Sequence, residues 1–108
     1  MNGIILRKIR QYLVHSFLYY QLDESLISDR HFDLICKELS NLLENNSEHI
    51  SIPYQEIIEN SLSNDASGFT IKKFPREIIS TGLHLLYQRN YRESMTFEKF
   101  LSRFGYRL

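Results

Sequence analysis

Apolar residues recur at three- and four-residue spacing along nearly the whole chain, and only two prolines and four glycines interrupt them in 108 residues. That spacing is the stripe of an amphipathic helix, not the alternation of a strand. The chain therefore reads as all-α: a small single domain, 1–108, of about five helices built on an N-terminal helical hairpin. The first helix is expected over 3–22, with Ile5, Ile9, Tyr12, Leu13, Phe17 and Tyr20 on its buried stripe. Asp23-Glu24-Ser25 breaks the pattern, and Ser28 followed by Asp29 supplies an N-cap and a first-turn carboxylate for a second helix over 29–45. Phe32, Ile35, Leu39 and Leu42 form its inward row. Pro53 heads a third helix over 53–63, with Tyr54, Ile57, Ile58 and Leu62 inside. The loop signal Asn64 to Gly68 precedes an extended stretch, 69–74, that would make a short strand without a partner. Pro75 opens a fourth helix to about Arg89, and Thr96 caps a fifth that ends at Gly105. No internal repeat or low-complexity tract is visible.

At 12.9 kDa and 43% hydrophobic residues the chain can close one modest core, which excludes a multidomain enzyme. Thirteen basic side chains balance thirteen acidic ones, so no global excess announces a nucleic-acid binder. The lone Cys36 has no partner for an internal disulfide, and no apolar run suits a signal peptide or a membrane span. The expectation is a soluble cytoplasmic protein.

Several chemistries lack their residues. The four histidines, at 15, 31, 49 and 84, do not show the one-turn pairing of a helix-borne metal site, so no metal is expected. Cys36 sits in an apolar-rich helical stretch that suits an inert thiol. Gly3, Gly68, Gly82 and Gly105 stand alone, which rules out phosphate-cradling loops, and there is no serine-nucleophile elbow. No self-contained catalytic centre is specified.

Charge is unevenly placed. Residues 1–68 hold five basic and ten acidic side chains, whereas residues 69–108 hold eight basic and three acidic. Lys72, Lys73 and Arg76, with Arg89 and Arg92 beyond them, are candidates for contact with phosphate or another anion. Complementary surfaces of one domain, or of two copies, explain the same split.

One continuous stretch is more specific. It contains Tyr19-Tyr20 at the end of the first helix, a short acidic loop, Ile27-Ser28-Asp29 at the turn, and Phe32-Asp33-Leu34 opening the second helix. From about Leu6 to Glu44 the chain resembles the N-terminal Ia domain of bacterial NAD-dependent DNA ligases. That domain grips the nicotinamide mononucleotide half of NAD. The resemblance implies a nucleotide site made by Tyr19 and Tyr20 as the aromatic pair, Asp29 as the turn aspartate, and Phe32 with Asp33 as the family's Tyr-Asp pair. The physical logic agrees: a flat cationic nicotinamide stacks on aromatic faces, and nearby carboxylates favour its charge. The chain departs from the pattern at Phe32, which lacks the family's hydroxyl. It also has no Lys-x-Asp-Gly adenylation motif and no room for the nucleotidyltransferase domain. The expectation is therefore a non-catalytic, ligase Ia-like module of phage type. It needs no cofactor for chemistry and takes NAD, nicotinamide mononucleotide or a related nucleotide as ligand. The alternatives are a protein-interaction or inhibitory module on the same scaffold, an accessory acting in trans with a DNA ligase core, and, more weakly, DNA contact through the basic region from residue 69 onward.

Overall fold

The computed structural model describes residues 3–45, 54, 57–58, 71 and 73–107. Among them the secondary structure is entirely helical, with four α-helices and two π-helical turns. Helix α1, Gly3–Ser16, runs directly into a π turn, Phe17–Gln21. Its stripe goes inward as the spacing predicts: Ile5, Ile9, Tyr12, Leu13 and Phe17 are buried, joined by Val14 and Leu18, while Tyr20 is only half-buried. Asp23 then takes a left-handed backbone, φ 55°, which aspartate tolerates, and the chain reverses.

Helix α2 spans Asp29–Glu44 and begins where the sequence says it should, with Ser28 Oγ accepting from the His31 amide at 3.1 Å. Phe32, Ile35 and Leu39 are buried, and Leu42 is half-buried. Tyr12 pairs with Phe32, and Lys8 makes an ion pair with Glu38. Higher positions on α1 thus meet lower positions on α2, so the two helices run antiparallel.

Helix α3, Arg76–Leu86, follows Pro75, which stands one residue before the helix at its cap position. It too runs into a π turn, Tyr87–Tyr91, where the Arg92 amide reaches back to the Tyr87 carbonyl at 2.8 Å. Helix α4, Phe97–Phe104, is capped by Thr96 Oγ1 accepting from the Lys99 amide at 3.2 Å. It ends at Gly105 with φ 77°, where the Tyr106 amide bonds the Leu101 carbonyl. Tyr87, Tyr91, Phe97, Phe100 and Phe104 pack ring on ring inside this second hairpin. The two hairpins are thus built alike, as helix, π turn, loop and capped helix, although the sequence shows no repeat.

Two features join the hairpins. Helix α3 packs against α1 and, at Gly82, against the first π turn, where the missing side chain admits the Phe17 ring. The Tyr91 hydroxyl donates to Glu24 Oε1 at 2.6 Å, tying the second π turn to the first loop. Of the helix expected over 53–63, only Tyr54, Ile57 and Ile58 are described; Ile58 is buried, and its amide bonds the Tyr54 carbonyl. The rest of that segment, the 64–68 loop and Lys72 lie outside the described residues. The described positions of the extended stretch, Ile71, Lys73 and Phe74, form no strand.

Candidate functional site

The first π turn sets the geometry of the aromatic pair. Its wider winding narrows the angular step between neighbouring side chains, and the Tyr19 and Tyr20 rings meet edge to face at 4.8 Å. Phe32, on the first inward position of α2, lies between them and Tyr12. It is parallel to Tyr19 at 6.1 Å, edge-on to Tyr20 at 6.4 Å and parallel to Tyr12 at 6.2 Å. Phe32 is only 5% exposed, whereas Tyr19 is 37% exposed. The sequence suggested a ring at position 32 that touches a ligand. The structure makes it the floor that props Tyr19, and leaves Tyr19 as the more open of the two faces.

Asp29 stands in the first turn of α2 beside the Tyr19 phenol. Its negative charge, and then its hydrogen bond to the hydroxyl, push the Tyr19 pKa up. The phenol therefore stays protonated and the aspartate stays partnered. Asp33, one turn further along, is exposed and lines a shallow hollow of about 510 Å³. The other walls of that hollow are Ser28, Arg30, His31, Leu34 and Lys37. Tyr19, Tyr20, Asp29 and Phe32 thus form one cluster, with Asp33 on the adjoining surface of the same helix.

Lys73 and Arg76 are placed elsewhere. Both are exposed and line a separate hollow of about 380 Å³, shared with Phe17, Gln21, Phe74 and Tyr106. No residue is common to the two hollows. Lys73 and Arg76 therefore do not share a hollow with the acidic start of α2 among the described residues.

The cations that do flank Asp33 were not singled out from the sequence. Arg30, His31 and Lys37 line the same hollow. His15 was likewise unremarkable, yet it is half-buried and close enough to His31 and Arg89 to feel both. Burial lowers its pKa first, and the two neighbouring positive charges lower it further. Three elements thereby place basic groups near one another at the first hairpin, a convergence that no local sequence signal carries. Cys36 is half-buried, and burial followed by the Asp33 charge pushes its thiol up to about 11, which suits the inert role expected of it. No group of three or more potential metal ligands occurs among the described residues, and no helix there is long and apolar enough to cross a membrane. No protein-family model, no curated protein and no solved structure matches this chain.

Proposed function

We propose that this chain is a non-catalytic helical module that binds NAD, nicotinamide mononucleotide or a related nucleotide at the corner of its first hairpin. The observation that carries the reading is the open Tyr19 ring, propped on Phe32 and neighboured by Asp29, on the same helix start whose outer surface carries the hollow that Asp33 lines. A cationic nicotinamide stacks on an aromatic face and gains from carboxylates nearby. A hollow of about 510 Å³ is of the size that small-ligand sites have. Arg30, His31 and Lys37 on its wall offer the ligand's phosphate charge-assisted hydrogen bonds, a task the sequence had suggested for Lys72, Lys73 and Arg76. A cytoplasmic, phage-type setting belongs to the same reading, as does assistance in trans to a DNA ligase core.

Titration calorimetry of NAD and nicotinamide mononucleotide into the purified chain tests it, with Asp33→Ala and Tyr19→Ala as controls. Saturable binding that both substitutions abolish, with the melting temperature unchanged in Asp33→Ala, is the expected result. No heat at millimolar ligand would sink the reading. The second reading, a protein-interaction module, has its own observation: Leu34 is 52% exposed on the same face of α2. It predicts that Leu34→Asp abolishes capture of a partner while leaving nucleotide titrations flat in every variant.

A further inference from the structure

The hollow between the first π turn and the start of α3 has a different chemistry. Its floor is apolar: Phe17, Phe74 and Ile79, with the ring of Tyr106 as one wall. Its rim carries Lys73 and Arg76, and Gln21 is the remaining polar side chain. Among the described residues no carboxylate lines it. The acid nearest in sequence, Glu77, already accepts a hydrogen bond from the Tyr54 hydroxyl. Among the described residues Lys73 and Arg76 make neither an ion pair nor a hydrogen bond, and the one ion pair found there is Lys8 with Glu38.

We infer that this hollow is a second binding site, for a small ligand in which a flat aromatic ring carries a phosphate. Phe17 and Phe74 are buried at the bottom, so the ligand's ring rests on the half-buried Tyr106 and Ile79, and the two cations meet the dianion at the rim with charge-assisted hydrogen bonds. Arg offers a forked pair of donors, and Lys a mobile point charge. Burial pushes the Tyr106 pKa up, so its hydroxyl stays protonated at neutral pH and is available as a donor. A volume of about 380 Å³ suits a ring of one or two cycles plus its phosphate, and not a larger body.

Arg76 also stands in the first turn of α3, where the helix dipole disfavours a positive charge. Its removal therefore costs the fold nothing, and Arg76→Gln is a clean probe of the site. Lys73, exposed on the preceding loop, is equally suitable.

The test is a titration of the full chain with phenyl phosphate, followed by NMR, with phenol and inorganic phosphate as separate arms. Phenyl phosphate should bind saturably and about tenfold more tightly than either part alone, because both floor and rim contribute. Arg76→Gln and Lys73→Gln should each weaken it about fivefold or more, and Asp33→Ala should leave it unchanged. Equal affinity for phenyl phosphate and inorganic phosphate would overturn the inference, because charge alone would then explain the attraction. So would binding that ignores both rim substitutions, or binding that Asp33→Ala removes. None of these outcomes depends on whether nicotinamide nucleotides bind at the first hairpin.

Discussion

Replacing Gly82 by alanine sets two opposing effects against each other where α3 packs on the first π turn. A Cβ at this position lies 2.8 Å from Cδ2 and 3.2 Å from Cε2 of Phe17, and 3.7 Å from Leu18 Cδ2. Carbon atoms pack best about 3.5–4.0 Å apart, so the ring must retreat by roughly an ångström. It has little room to do so. Phe17 is 1% exposed, and Phe74 and Tyr106 hold it edge-on at 5.5 and 5.8 Å. Alanine gains about 1 kcal/mol over glycine in a helix interior, whereas overpacking a closed core costs about 1–3 kcal/mol. With the ring boxed in on three sides the upper part of that range applies, and a net loss of about 1–2 kcal/mol is expected. For a domain of this size that corresponds to a fall of about 4–10 °C in Tm. Urea unfolding followed by circular dichroism gives the free energy directly. An alanine variant as stable as its parent would refute the reasoning. Phe17→Leu in the same background shortens the obstructing side chain and should recover part of the loss, with a coupling of about 0.5 kcal/mol or more.

Three further outcomes are expected. Tyr91→Phe removes the hydroxyl that donates to Glu24 and should cost about 1 kcal/mol in chemical denaturation; if the link matters, Glu24→Gln will be less than additive with it. Cys36, pushed up to about 11, holds about 100-fold less thiolate at neutral pH than an unhindered thiol. Alkylation of the folded chain should be slower in proportion and become fast in denaturant, and rapid labelling of the native protein would contradict the burial. His15 is lowered by burial and by His31 and Arg89, so the unfolded chain takes up a proton before the folded one does. Its share of stability is full above the ordinary histidine value of about 6.5 and is lost as the pH falls below it. His15→Gln should flatten that acid-side slope, and an unchanged slope would mean that other groups cause it.

The sequence is most informative where a single residue type has a local job. Ser28 and Thr96 cap α2 and α4 with their side chains, as their positions before apolar runs predict. Gly105 supplies the left-handed turn that closes α4. The inward stripes of α1 and α2 were equally legible, because burial follows the helical period. The π turns were not. Their residues keep an apolar spacing that an α-helix also satisfies, so 3–22 and 75–89 each read as one regular helix. Long-range partnerships were also hidden, since nothing near Glu24 points to Tyr91, 67 residues away. At the candidate site, the spacing of Tyr19, Tyr20, Asp29 and Phe32 was informative because the hairpin brings them together within one loop's reach. The role of Phe32 was not, since a phenylalanine can floor a site or face it. The separation of Lys73 and Arg76 from Asp33 depends on how α3 crosses α1, and charge counting along the chain carries no such geometry.

Both hairpins turn their corners on a helical turn wound wider than the helix before it. A turn closed by i→i+5 bonds accommodates a residue that an α turn would not need. Each corner therefore holds slack. Removing one residue from 17–21 or from 87–91 would let the segment rewind as ordinary α-helix, with the loop and the cap that follow still intact. The elements beyond keep their aim, because the rewinding takes up the missing residue; what changes is which side chains the corner presents. The first corner carries the aromatic pair, and the second carries the tyrosine that ties the hairpins together. Chain length at these two places thus decides which side chains a corner shows, while the core beneath it and the helix beyond it stay in place.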